Sequence, residues 1–325
     1  MIQSLSISGL LTLELHALNN EGAEGNTMMT RMVDVIVKDG PTAKKHTVNA
    51  ISGDMFKHIF VEHLIAEAKT HNVPLCEGCQ VFNPNRICYD PAWKAVNEAN
   101  GWNKETKDSE ILSGVIKTCL VDDAAGILIT GEVGGKSRSV ARKSSIEFGW
   151  VVGRPAEVST ESYFHAKYVP EGRGKGSQES SNTGQNIFHR PASSGRYAVV
   201  LNLDLYKIGR NDITLQYDLT PEARTARIGA VVRALAATFI KPTGAHRNTQ
   251  NPHIVDFEGV VSLSRSTLPA PLVSPLNHDF AGEVERIAAN LNKISPATNP
   301  ISVQPFSSLS GFVENLAISI GDIEG

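Results

Sequence analysis

Within residues 47–60 a run of strand-forming residues breaks on Ser52-Gly53-Asp54 and gives way to Met55-Phe56-Lys57-His58-Ile59-Phe60. Phe56, Phe60 and Leu64 then recur every four residues, and Ile59 and Ile65 widen the apolar face. The stretch predicts a strand that feeds directly into a helix packed on a core. Ser52 or Asp54 can cap the first orphan amides, and Gly53 lets another segment approach the backbone. Lys57 and His58 stand one turn inside. A helix start with free amides and adjacent cations suits a phosphate, although an ordinary capped core helix explains the same residues without one.

Upstream, Leu5, Ile7, Leu11, Leu13 and Leu15 alternate with small and polar residues, which predicts an amphipathic first strand. Turn residues 19–25 separate it from a second strand, at whose start Asn26, Thr30 and Arg31 are polar. Asp39-Gly40-Pro41 then turns into a third strand, so the head of the chain reads strand, strand, strand, helix. Residues 74–103 are rich in Pro, Asn, Cys and Gly and predict an irregular insertion, after which Ile111, Val115 and Cys119 restore helical spacing. Residues 163–196 hold few bulky apolar side chains, and their two ends predict the arms of a long hairpin. Residues 197–206 alternate as a central strand. Thr220-Pro221 opens a helix buried through Ile228, Val231, Val232, Leu235 and Phe239. A strand over 255–263 and a helix through Phe280, Val284, Ile287 and Leu291 complete the assignable elements.

With 41% hydrophobic and 20% charged residues among 325, the chain has the composition of a globular protein. No apolar run approaches the ~20 residues a membrane helix needs, and the first residues lack a basic signal-peptide region. We expect a cytoplasmic protein with no membrane partner. A net charge of −3 excludes a uniformly basic nucleic-acid coat but leaves room for a local basic groove. Four cysteines are too few for a disulfide framework. Cys76, Cys79 and Cys88, with His71 just upstream, are candidate ligands for a structural zinc; free thiols in a reduced loop are the alternative.

Catalytic signatures are weak. Gly135-Lys136-Ser137 resembles the end of a phosphate loop, but Thr130 stands where the first glycine belongs. Residues 131–137 therefore carry only an alternative reading, a nucleotide-hydrolysing enzyme. There is no Gly-x-Ser-x-Gly elbow and no His-Glu-x-x-His helix, and Asp122-Asp123 reads as capping or solvated. We expect a non-enzymatic protein that requires no cofactor. Its cations gather instead in polar, glycine-containing loops: Arg31, Lys57, the group Lys136, Arg138 and Arg142, the pair Arg173 and Lys175, and Lys241 and Arg247 beside Gly244 and His246. Glycine amides with Arg and Lys grip a phosphodiester backbone without reading bases.

The order of four segments carries a resemblance. Asn26 with Thr30-Arg31, then Ile51-Ser52-Gly53-Asp54-Met55-Phe56-Lys57-His58, then Cys119-Leu120-Val121-Asp122-Asp123-Ala124-Ala125-Gly126, then Lys241-Pro242-Thr243-Gly244-Ala245-His246-Arg247-Asn248 resembles the DevR autoregulator branch of the CRISPR-associated backbone family, type I-A or I-B like, over residues 5–263. The resemblance implies an α+β fold: an RRM-like, ferredoxin-like antiparallel sheet palm with packed helices. It also implies a finger-like insertion at 67–144, a thumb-like hairpin at 163–196 and a C-terminal extension at 269–325, all within one domain of 1–325. It implies a subunit of the Cascade complex that polymerises head to tail along the crRNA, meets other Cascade subunits and presents the guide to target DNA. Asn26, Thr30, Arg31, Ser52, Gly53, Lys57, His58, Lys241, Gly244, His246 and Arg247 would then lie along the guide, with Ile187 or Phe188 as wedge residues of the thumb. The aspartate that lets some type III relatives cut RNA has only Glu21 and Glu24 near its place, which implies no cleavage.

Overall fold

The computed structural model describes residues 2–40, 42–168, 185–244 and 249–324. In chain order its elements are β1 (Ser4–His16), β2 (Asn20–Glu24), β3 (Thr27–Thr30), β4 (Met32–Asp39), β5 (Thr42–Ile51), α1 (Gly53–Thr70), α2 (Glu77–Gln80), α3 (Ala92–Asn100), α4 (Asp108–Thr118), α5 (Leu120–Ala125), β6 (Ile127–Val133), β7 (Lys136–Arg142), β8 (Ile146–Phe148), β9 (Val151–Tyr168), β10 (Gln185–Leu203), α6 (Pro221–Ile240), β11 (His253–Ser264), α7 (Phe280–Ile294), β12 (Ile301–Phe306) and α8 (Leu309–Glu324). None of the helices among the described residues is long and apolar enough to cross a membrane.

Strand β1 is the axis of a large, mainly antiparallel sheet. It pairs with β10 on one side and β11 on the other, and the sheet runs β12-β11-β1-β10-β9-β5-β4. The short β8 also pairs antiparallel with β10, Leu203 lying opposite Ile146. Leu5, Ile7, Leu11 and Leu13 of β1 join Phe56, Phe60 and Leu64 of α1 and Ile228, Val231, Leu235 and Phe239 of α6 in one core. Fully burying such side chains contributes ~1.5–3 kcal/mol each. Leu15 leaves this face, because the register with β10 shifts between Leu13 and His16 and exposes it.

The alternate face of β1 is not solvated, as an amphipathic strand would have it. Ser4, Ser6 and Ser8 are all buried, because the chain after β11 lies across them. Ser6 Oγ donates to the Ala270 carbonyl at 3.1 Å, and the amides of Ala270 and Val273 donate to Ser4 Oγ and Ser8 Oγ. Small hydroxyls here leave room for a crossing backbone and satisfy its polar groups.

Other departures from the sequence reading follow the same logic of tertiary partners. The expected second strand is divided into β3 and β4, and part of the expected turn before it is β2, paired with β3. The insertion at 74–103 contains helix α3, whose Trp93 ring lies 5.8 Å from that of Trp102. Beyond α7, β12 extends the sheet along β11 and α8 packs behind it. Phe312 of α8 is fully buried among Phe239, Phe257 and Phe306, with ring centroids 4.9–5.4 Å away.

Candidate nucleic-acid interface

The junction of β5 and α1 forms as its sequence dictates. Ser52 Oγ accepts the Met55 amide at 3.2 Å, and the Ser52 amide donates to Asn19 Oδ1 at 2.7 Å. The Ser52 hydroxyl thus serves the helix cap while Asn19 holds its amide, and the residue is buried. Gly53 is approached closely, but by the protein itself: a Cβ there would clash with the carbonyl oxygen of Phe148. Ser52 and Gly53 therefore build the platform and do not offer themselves to a ligand.

The cations do. The Arg31 guanidinium lies 5.5 Å from the centre of the Trp150 ring, within cation–π range. Trp150 is exposed, and with Gly53, Asp54, Lys57, Ser144 and Glu147 it lines a shallow depression. Lys57 Nζ donates to Ser144 Oγ at 3.2 Å and also borders a larger cleft of about 660 Å³. That cleft carries His58, Phe82, Asn83 and Arg86 on its walls and Cys79 at its edge. His58 meets the exposed Phe82 ring edge-on at 5.1 Å. Burial, and then the neighbouring Arg86, push the Lys57 ammonium below its ordinary value. An anion placed between Lys57 and Arg86 would relieve both costs.

Sequence reasoning found Arg31, Lys57 and His58 here but missed Trp150, Phe82 and Arg86. Trp150 stands in Gly149-Trp150 between β8 and β9, and its place beside the helix start shows only in the fold. Asn26 and Thr30 lie nearby at the foot of the β9–β10 arm. The Asn26 carbonyl accepts the His189 amide at 2.8 Å, and Thr30 Oγ1 is 3.4 Å from Ser193 Oγ.

Two of the three expected contacts in 131–143, those of Arg138 and Arg142, are corrected. The segment is the hairpin β6–β7, and Lys136 opens a strand where a phosphate loop needs a helix. The nucleotide-hydrolysis alternative thereby loses its site. Arg138 donates to Asp108 Oδ1 at 2.7 Å and to the carbonyls of Val133, Asn103 and Lys104. Arg142 is wholly buried in ion pairs with Asp123 and Asp212. Neither guanidinium is available to RNA. Lys136 is exposed at the hairpin tip, roughly 20 Å from its base by strand rise. Gly244 is buried against Leu18, whose Cα would lie 2.6 Å from an added Cβ. Lys241 is exposed, and its carbonyl bonds His63 Nε2 at 2.9 Å. Arg173, Lys175, His246 and Arg247 lie outside the described residues.

Asp122 and Asp123 are not solvated caps: both are fully buried, because α5 packs against α1 and α4. Asp123 accepts from Arg142 at 2.6 Å, from Arg227 at 2.8 Å and from the Gly209 amide. Asp122 turns to the cysteines, and burial raises its carboxyl well above the usual range. The expected metal set changes accordingly. Donor atoms of Cys76, Cys79, Cys119 and Asp122 all lie within 4.8 Å of one another. His71 instead pairs with Glu67 at 3.3 Å, one helical turn away, and Cys88 falls outside the cluster. The overlooked signal was Cys119-x-x-Asp122, which repeats the spacing of Cys76-x-x-Cys79.

Residues 7–285 match the family model described as the CRISPR-associated negative auto-regulator DevR/Csa2. The chain belongs to the DevR/Csa2 family. Within reach of that family, it is similar to the CRISPR-associated protein Cas7/Csa2 1 of Saccharolobus solfataricus, with 24% identity over 302 residues covering 91% of this chain and 88% of the relative. It is also similar to a chain of a CRISPR RNA-guided surveillance complex (11% identity, TM-score 0.47, 98% of this chain and 99% of that one). A second such likeness, to a chain of a surveillance complex before nicking, has 12% identity and a TM-score of 0.46, with 90% and 89% covered.

Proposed function

We propose that this chain is a non-catalytic backbone subunit of a type I CRISPR Cascade complex, polymerising head to tail along the crRNA and presenting the guide to target DNA beside other Cascade subunits. The observation that carries the reading is the convergence of Arg31 on Trp150 with Lys57, His58 and Arg86 at the head of α1. Cations flanked by exposed aromatic faces are what a single strand needs: charge for phosphates and π-surface for bases, without sequence readout. Family membership supplies the CRISPR context.

In this reading the strands β11-β1-β10-β8, with α1 and α6 as crossovers, are an RRM-like palm; their order and antiparallel pairing support that description. Residues 67–144 are the finger, 163–196 the thumb and 269–325 an extension that completes the sheet. The register Phe188 with His165 supports a hairpin thumb, and Phe188 is sandwiched by the His165 ring at 5.5 Å and the Arg190 guanidinium at 4.7 Å. Head-to-tail contacts of this kind do not close, so they generate a filament whose length follows the bound strand.

The test is the RNA carried by the purified full-length protein. It should hold RNA of fixed length, bind single strands without sequence preference, and lose affinity steeply with salt. Arg31→Glu or Lys57→Glu should lower the slope of log affinity against log salt by about 0.7 per lost contact. Deleting residues 172–184 should leave a folded protein that no longer forms regular arrays on RNA in electron micrographs. Salt-independent binding would sink the interface, and normal arrays from the deletion would sink the thumb.

A further inference from the structure

We propose that Cys76, Cys79, Cys119 and Asp122 form a closed tetrahedral site for one zinc ion, which fastens the insertion to α5. The four donor atoms are mutually within 4.8 Å. Cys76 Sγ is 3.5 Å and Cys79 Sγ 4.0 Å from Asp122 Oδ2. With zinc–sulfur bonds of ~2.3 Å, the edges of a tetrahedron are about 3.8 Å, so the four atoms need only a small contraction to share an ion. An iron–sulfur cluster would hold its thiolates further apart than this.

Two features show that the group is more than a chance cluster of thiols. Asp122 is fully buried, yet its Oδ1 has no hydrogen-bond partner, and no ion pair reaches it among the described residues. A buried carboxylate left that way is costly, and either a proton or a metal ion compensates it. The backbone also holds the donors from two directions. Cys76 caps α2, its Sγ accepting the Cys79 amide at 3.4 Å, while the Leu120 amide donates to the Pro74 carbonyl at 2.9 Å and pins the Cys119 turn against the Cys76 turn. An amide donor on a ligand sulfur is the outer-shell support a metal thiolate uses.

The ligand chemistry selects the ion. Three thiolates favour zinc over hard cations, and four protein donors with every residue buried leave no open position, which marks a structural ion and not a catalytic one. Because Cys79 borders the cleft that holds Lys57 and Arg86, the ion would fix the wall on which Phe82 and Arg86 stand. The proposal does not depend on what that cleft binds.

Full-length protein produced with added zinc and purified without chelator should contain one zinc per chain by plasma mass spectrometry. Reduced, metal-free protein given cobalt(II) should develop thiolate-to-cobalt charge-transfer absorption and the ligand-field bands of a four-coordinate ion. Cys88→Ala and His71→Ala should keep both signals, and Cys119→Ser should lose them. The site is refuted by folded wild-type protein that holds no stoichiometric metal and gives no cobalt spectrum. A disulfide joining Cys76 to Cys79 in that protein would refute it too, as would loss of metal in Cys88→Ala. These readouts use wild-type protein and Cys88→Ala, so they stand even where Cys119→Ser fails to fold.

Discussion

Arg142 Nη2 lies 2.6 Å from Asp123 Oδ1, with neither side chain exposed to solvent. Arg227 occupies the other carboxylate oxygen, so one aspartate holds α6 and β7 together. Asp123→Ala should therefore destabilise the protein by roughly 3–5 kcal/mol, since it removes the ion pair of buried Arg227 and leaves buried Arg142 with Asp212 alone. Urea titration monitored by tryptophan fluorescence measures it. Protein that remains folded should bind RNA as before, because Arg142 faces the core; a specific loss of RNA affinity in Arg142→Met, with stability accounted for, would contradict its placement.

Gly53→Ala tests why the helix start is built as it is. The new methyl group would meet the Phe148 carbonyl, and overpacking at such a contact costs ~1–3 kcal/mol. The midpoint of thermal unfolding should fall while RNA affinity per folded molecule is unchanged. Unchanged stability would show that the Phe148 carbonyl does not press on the start of α1.

Trp150→Ala asks whether the exposed ring stacks on a base. Stacking on an aromatic is worth ~1–3 kcal/mol, so affinity for single-stranded RNA should drop about tenfold or more. The salt slope should stay as it was, which separates this effect from that of Lys57→Glu. Fluorescence anisotropy at several salt concentrations gives both numbers.

His16 makes stability depend on pH. Burial lowers its imidazole from 6.5 to about 4. The Leu18 amide donates to Nδ1 at 3.4 Å, so Nε2 carries the proton toward the Tyr197 hydroxyl at 2.8 Å, and a second proton would set Nδ1 against that amide. Above pH 6.5 the ring is neutral in both folded and unfolded chains. As pH falls toward 4 only the unfolded chain takes up the proton, and about 3 kcal/mol of stability is lost across that window. In His16→Gln that part of the pH profile should flatten, seen in the difference between the two proteins' denaturation curves.

Phe312→Ala tests the docking of α8. The ring is fully buried among three other phenylalanines, and its removal should cost ~3–5 kcal/mol. Cooperative unfolding at one lower midpoint would show that the C-terminal segment is part of the core. A separate early transition would show that it is an appendage.

What the sequence made legible was local. Helices α1 and α6 announce themselves because a cap, a first-turn signal and an apolar repeat coincide within a few residues. So does β1, whose apolar face was read correctly as far as Leu13. The expected CRISPR-associated family was likewise legible in the order of four short segments. What stayed hidden depends on partners far along the chain. The serines of β1 look solvent-facing until residues 270–273 cover them. Arg142 reads as a member of a basic loop until Asp123, 19 residues earlier, takes it inward, and Arg227 is 104 residues from the same carboxylate. Helix α8 has a cap in Ser308, whose Oγ accepts the Gly311 amide, but no acidic first turn, and it is held by its phenylalanine contacts. Likewise Cys119 joined Cys76 only when α5 folded back against the insertion.

Helix α5 carries two adjacent carboxylates on six residues, one turned to the thiols and the next to the arginines. Successive residues of a helix differ in direction by ~100°, so each carboxylate has its own side and neither can borrow the other's. Inserting or deleting one residue ahead of them would rotate both out of place at once. The segment thus works as a phase lock: its angular setting is read independently by the insertion and by the core, and the two bodies can agree on only one.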